Sequence, residues 1–329
     1  MAFMKVLGGG VVDSHDQWGA SCLFLSISGI NIVVDCGVRL NTGVDPLPDL
    51  KTIAQERIDA IFITHAHTDH VGAAPLIAAQ HPEAQIFMTF HTAVISEILL
   101  GGNLDVAERY KKPTLYDRKD CAQLFQRTLI AEFGNWQTIE KGGNKIEFCF
   151  WPAGHIRGAA SILIKDGGDN RYLVTGDISL HSMPTIEAAK EIPTSFVNDK
   201  LVMVTEATNG SLVLPNRIDE ECRLVEKIHE VNARGGHVLL PAFAVGRSQD
   251  VALSLAKAGL KVWLGGMGRE ILSSDAFGRD FFHPNIRRFN GNDMDFLANS
   301  DYPEVIVTTP GMMEGGQSLE FAYRWMEDP

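Results

Sequence analysis

The sequence of 329 residues is long enough for one large domain or two ordinary ones, and 45% hydrophobic residues supply a sizeable core. A formal charge of −12 excludes a surface coated in basic residues for non-specific nucleic-acid binding, though not a local basic cleft. No apolar run approaches the roughly 20 residues needed to cross a bilayer, and the opening MAFMKVLGGG lacks a signal-peptide layout, so a cytoplasmic protein is expected. In chain order, β-type runs recur: SCLFLSI (21–27), NIVVDCG (31–37), DAIFITH (59–65), QIFMTF (85–90), KIEFCFW (145–151), SILIK (161–165) and RYLVTGD (171–177). Helix-like segments, AAPLIAAQ (73–80) and AVISEILLGG (93–102), lie between them, and two β-rich halves with helices outside make a layered α/β sandwich. From about residue 201 the rhythm changes: LVMVTEATNG, GGHVLLPAFAVGRSQDVALSLAKAG, KVWLGG and EVIVTTPG read as buried strands separated by helices, which suggests a parallel second domain. The five cysteines are scattered without a CxxC pair, so neither a disulfide framework nor a thiolate zinc site is expected.

The densest chemistry lies in FITHAHTDHVGAAP, residues 62–75, where His65, His67 and His70 crowd beside Asp69 at the carboxyl end of an apolar strand. Loops after such strands are where α/β folds place ligand sites, and neutral imidazole with carboxylate is an ordinary donor set for zinc and similar ions. The bland alternative is a polar loop whose histidines hydrogen-bond locally; three histidines in six residues weigh against it. A metal site needs further donors. His155, in the Gly-rich WPAGHIRGAAS, and Asp177, in LVTGDIS, both follow strands; Asp177 reads as a bridging carboxylate or as a turn former. Asp35, in NIVVDCG, either ligates or orients a ligand histidine.

HAHTDH, then GH in a Gly/Ala loop, then TGD after a strand, with VVDCG ahead, resemble the metallo-β-lactamase fold over residues 5 to about 179. TEATNG (205–210), HVLLPAFAVGRSQDV (237–251) and TTPGMMEGGQSL (308–319), with DQWGASC and PTLYDRKDCAQL earlier, are similar to its β-CASP branch. That nucleic-acid-processing group includes ribonuclease J and the endonuclease subunit that cleaves messenger RNA precursors. The resemblance implies a four-layer αββα sandwich, residues 1–208, with an inserted and incomplete parallel α/β β-CASP domain, residues 209–329. It also implies two divalent metal ions, zinc by ligand type with manganese as the alternative: one held by His65, His67 and His155, the other by Asp69 and His70, with Asp177 bridging. Glu206 matches an acidic residue beside the scissile phosphate. Arg247 is assigned either to phosphate contact or to tying the two domains together.

The family pattern has two more histidines beyond the GMxEGG segment, whereas the last histidine here is His283. His229, His237 and His283 do not match those positions. A partner polypeptide or a further C-terminal segment is therefore expected to complete the second metal site. The leading expectation is a two-metal nuclease acting on single-stranded RNA or DNA, with no membrane association and with an oligomer compatible. The alternatives are a catalytically silent subunit of a nucleic-acid-processing complex and a hydrolase of small esters.

Overall fold

The computed structural model describes residues 2–9, 19–40, 45–313 and 315–326. Its contacts divide the chain into two units: Met1–Ser182 with Ala188–Glu206, and Met183–Glu187 with Ala207–Pro329.

Among the described residues of the first unit, one sheet runs in chain order through β1 (Phe3–Gly8), β2 (Cys22–Ile27), β3 (Ile30–Val34), β4 (Ala60–Phe62), β5 (Gln85–Met88) and β6 (Thr128–Ile130). The first three strands pair antiparallel and β3 to β6 pair parallel. The runs IVV, AIF and IFM are buried throughout, as central parallel strands must be when both faces are covered. Parallel pairing needs crossovers, and these carry α1 (Thr68–Val71), α2 (Ala74–Gln80), α3 (Phe90–Arg109) and α4 (Arg118–Arg127).

Helix α3 is longer than its sequence suggested. Thr89 caps it, its Oγ1 accepting from Thr92 N at 3.2 Å, and the helix runs on through Gly101 and Gly102. Buried Ile95, Leu99, Leu100 and Leu104 hold it down, and that burial outweighs the roughly 1 kcal/mol a helical glycine costs. Helix α4 starts in a capping box in which Asp117 and Asp120 satisfy each other's backbone N–H groups.

The second sheet is β7 (Trp136–Lys141), β8 (Asn144–Pro152), β9 (Ala160–Lys165), β10 (Arg171–Val174) and β11 (Leu201–Val204), in the order β11-β10-β9-β8-β7. Its alternation sorts side chains by face. Ile146, Phe148, Phe150, Ile162, Ile164, Tyr172 and Val174 join the core shared with Leu25, Phe62 and Phe87 of the first sheet. Cys149, Leu163 and Leu173 point the other way, with Trp151 of β8, under Phe196 and Ile192. That outer cover is irregular chain: no helix forms between Val174 and Leu201 among the described residues. β11 shares the apolar rhythm of the later strands of the second unit, yet it pairs parallel with β10, Arg171 opposite Leu201.

The second unit is a parallel sheet, β12 (Val238–Pro241), β13 (Val262–Leu264), β14 (Ile286–Arg288) and β15 (Val305–Thr308), ordered β12-β15-β13-β14. Around it lie α5 (Arg217–Ala233), α6 (Arg247–Lys257), α7 (Gly266–Leu272), α8 (Met294–Ala298) and α9 (Gly316–Arg324). One side of the core is Phe289, Met294, Leu297, Ile306 and Phe321. The excursion Met183–Glu187 is fastened inside this unit by Asp250, whose Oδ1 accepts from Thr185 N and Oγ1 at 3.1 and 2.8 Å. Among the described residues no helix is long and apolar enough to cross a membrane.

Phe62 is fully buried, with ring centroids 4.7, 5.6 and 5.9 Å from Phe148, Phe87 and Phe150, so it joins the two sheets of the first unit. Phe62→Ala should cost about 3–5 kcal/mol. In thermal denaturation the midpoint falls by roughly 10 °C; a change of a degree or less would contradict this packing.

Candidate metal centre

The centre is assembled at the carboxyl ends of β3, β4, β8 and β10. After β3, Asp35 adopts φ +59° and sends its carboxylate inward, 4% exposed. Oδ1 accepts from Thr64 N at 2.7 Å, and Oδ2 accepts from Thr64 Oγ1 at 2.7 Å and from His70 Nδ1 at 2.8 Å. These contacts fix two imidazoles. His70 gives its Nδ1 proton to Asp35, so Nε2 faces the site. The Thr64 hydroxyl has spent its single proton on Asp35 and so accepts from His65 Nδ1, 3.0 Å away, which turns His65 Nε2 toward the site as well.

His67 and His155 complete the nitrogen cluster. His67 Nδ1 is 3.1 Å from His65 Nε2 and 3.0 Å from His155 Nε2. His155 reaches this point from the loop after β8, with φ +61° of its own and Gly154 at +68° beside it. The loop is tied to the start of α3, where the hydroxyls of Thr89 and Thr92 donate to Gly158 O at 2.8 and 3.0 Å. Asp177 follows β10 through Gly176, which lies against Thr64. Its Oδ2 is 3.8 Å from His65 Nε2 and 3.4 Å from His155 Nε2, while its Oδ1 faces His70 Nε2 at 3.3 Å. Asp69 Oδ2 is 3.8 Å from that same His70 nitrogen, and Ser21 Oγ is 3.2 Å from it.

Burial first, and then the neighbouring imidazoles, press the His65 pKa well below its ordinary value. Burial would press His70 down too, but the Asp35 carboxylate, with Asp177 and Asp69, outweighs it and raises the pKa well above normal. Burial opposes ionisation of Asp177, yet the His70 hydrogen bond and the surrounding imidazoles bring its pKa down to about 2.

The donor set fits a divalent ion. Ligand atoms of His65, His67, His155 and Asp177 all lie within 4.8 Å of one another. Nitrogen separations of 3.0 and 3.1 Å approach the roughly 3.3 Å edge of a tetrahedron built on metal–ligand bonds of about 2.0 Å. His70 faces the other oxygen of Asp177, with Asp69 beside it, outside that group of four.

Of the remaining sequence candidates, Glu206 follows β11 and its Oε1 accepts weakly from Ile178 N at 3.4 Å, adjoining Asp177. Arg247 opens α6 in the second unit, with Nη1 2.8 Å from Met183 Sδ and 3.8 Å from Asp250 Oδ2. Three residues of the centre carry no sequence signal of their own. Ser21 and Thr64 are ordinary polar residues beside apolar runs, and Gly37 becomes meaningful only in space. A Cβ on Gly37 would sit 1.6 Å from Asp69 O and 2.6 Å from His70 N, so only glycine lets this loop lie against α1. The turn is pinned there, Ser21 N, Cys36 N and Val38 N donating to Asp69 O, His70 O and Thr68 O.

Residues 15–89 match the model of the metallo-beta-lactamase superfamily. Over 99% of its length the chain is 29% identical to "Cleavage and polyadenylation specificity factor 73" of Drosophila melanogaster, of which it covers 49%. It is 27% identical over 94% of its length to "Probable RNase MJ4" of Methanocaldococcus jannaschii, covering 74% of that protein. A crystal structure of a protein of unknown function from Enterococcus faecalis V583 shares the fold at TM-score 0.55 and 14% identity, with 94% of this chain and 77% of that one covered. The chain thus resembles the metallo-β-lactamase fold and, over most of its length, the β-CASP nuclease group. It spans about half the length of the Drosophila relative.

Gly37→Ala should cost about 1–3 kcal/mol, because the added methyl must push Asp69 and His70 aside. Gly101→Ala, within α3 and with open space around it, should instead stabilise by roughly 0.5–1 kcal/mol. Denaturant midpoints compare the two, and equal signs would refute the contrast.

Proposed function

We propose that this chain carries the catalytic centre of a metal-dependent nuclease that hydrolyses phosphodiester bonds in RNA, with single-stranded DNA as the nearest variant substrate. The observation that carries the reading is the division of Asp177: Oδ2 faces His65 and His155, Oδ1 faces His70, and one carboxylate thus addresses two sets of donors. The first set is His65, His67 and His155. The second is Asp69 and His70, with a fourth donor from solvent, from a further C-terminal segment or from a partner polypeptide. The names of the relatives support the substrate class, one a cleavage and polyadenylation factor and the other a probable RNase.

Two divalent ions, zinc by the nitrogen and oxygen ligand set, would supply activation of water near neutral pH and neutralisation of phosphoryl charge during in-line attack. The chain's own residues prepare that chemistry. Asp35 and Thr64 hold His70 and His65 in the tautomers that present Nε2, so little reorganisation is needed when substrate arrives. Asp177 stays ionised because the imidazoles surround it. Glu206, adjoining Asp177, is assigned to accepting a proton from the attacking water or orienting it. Arg247 retains the phosphate-contact assignment only as an auxiliary, since Met183 and Asp250 already engage it.

The test is cleavage of an end-labelled single-stranded RNA by the purified chain, supplied with zinc or manganese. Asp177→Ala and Asp69→Ala should each reduce the rate at least about 10³-fold, while Arg247→Ala has a far smaller effect. Undiminished cleavage by Asp177→Ala would overturn the reading.

A further inference from the structure

In a chain of net charge −12, residues 261–289 go against the trend: five Lys and Arg meet three Asp and Glu. The structure gathers part of that excess at the edge of the second unit's sheet. β14 is the outermost strand beside β13, and both Arg287 and Arg288 on it are exposed. Arg288 is the last residue of β14, and Arg269, its side chain 28% exposed, lies on α7, the helix that follows the carboxyl end of β13. Such carboxyl ends of parallel strands are where open α/β sheets receive ligands.

Both edge arginines are braced by aromatic rings. The Arg288 guanidinium lies 4.3 Å over the ring of Phe282, itself 67% exposed, and that of Arg287 lies 5.4 Å over Trp263. Neither arginine has an ion pair among the described residues; Arg269 has a partly exposed one with Glu270 at 3.2 Å. Partial burial, and then the charge of Arg269, hold the Arg288 pKa below its ordinary value. An anionic partner is what Arg288 lacks among the described residues. Guanidinium groups held over rings lose part of their freedom before they meet phosphate oxygens, and an exposed aromatic beside them offers a stacking face for an unpaired base.

We propose that Arg269, Arg288 and Phe282 form a binding surface for the backbone of a single-stranded nucleic acid, with the two arginines on phosphates and the phenyl ring under a base. The inference rests on the nucleic-acid reading of the preceding subsection and names where on this chain a polynucleotide is held. The competing explanation is that charges on β14 merely keep an edge strand from pairing with another chain. That explanation predicts no effect on nucleic-acid affinity.

The experiment is fluorescence anisotropy of a labelled oligouridylate of about twenty nucleotides at several salt concentrations. It compares the full chain with the doubly substituted Arg269→Ala/Arg288→Ala protein, with Arg269→Lys/Arg288→Lys and with Phe282→Ala. The alanine pair should bind about tenfold more weakly or worse, and its dependence of log affinity on log salt should be shallower by about 1.4, the value for two lost phosphate contacts on a single strand. The lysine pair should keep most of that slope, and Phe282→Ala should weaken binding with the slope unchanged. Circular dichroism and metal content, unchanged in the variants, establish that they are folded.

Unaltered affinity and slope in the alanine pair would overturn the proposal, as would failure of the unsubstituted chain to bind the oligonucleotide. Binding that depends on the arginines without any cleavage of RNA would sustain this surface while refuting the nuclease assignment. Cleavage with arginine-independent binding would do the reverse.

Discussion

Asp35 is almost wholly enclosed, and an enclosed carboxylate is costly unless its oxygens are met by donors. Three donors meet it: the Thr64 backbone N–H, the Thr64 hydroxyl and the His70 ring. Those contacts lock the exit of β3 to the exit of β4 and, through His70, to the short helix α1. They also decide which nitrogen each histidine offers. Replace the carboxylate by an apolar group and the buried Thr64 and His70 donors are orphaned together, while the two imidazoles lose the reason for their orientation.

The same geometry explains why so many like groups can crowd together. Three imidazole nitrogens stand within about 3 Å of one another in sequence of contact, and His65 has its pKa pressed down by burial and by its neighbours. His65 therefore has little tendency to hold a proton on the nitrogen it turns toward the other imidazoles. Asp177 adds negative charge on one flank, and glycines at 37 and 176 permit the backbone approaches that bring the flanks in. The chain thus invests its close contacts and its positive-φ residues at the place where donors converge.

Much of this was legible in the residues. His65, His67, Asp69 and His70 are contiguous, so their grouping needs only a loop, and His155 and Asp177 follow apolar strands whose ends a sandwich must bring to one edge. The β-CASP resemblance was legible from TEATNG and AVGRSQD for a similar reason: local strings survive where long-range contacts do not show. What was not legible depends on space. Gly37 looks like any glycine until Asp69 O is found 1.6 Å from its missing Cβ, and Ser21 and Thr64 acquire meaning only from their distances to His70 and Asp35. β11 reads like its successors because its apolar run is the same; only the register with β10 separates it. Helix α3 outruns its two glycines because buried leucines hold it down, a tertiary effect that propensity cannot register.

The central claim is that one carboxylate, Asp177, addresses two ion-binding sets, and the measurement that tests it most directly is the metal content of the gently purified chain by elemental analysis. The account predicts about two divalent ions per chain in the unsubstituted protein, and about one when His70→Ala removes the second set while His65, His67 and His155 remain. A content of one ion or none in the unsubstituted chain would contradict it.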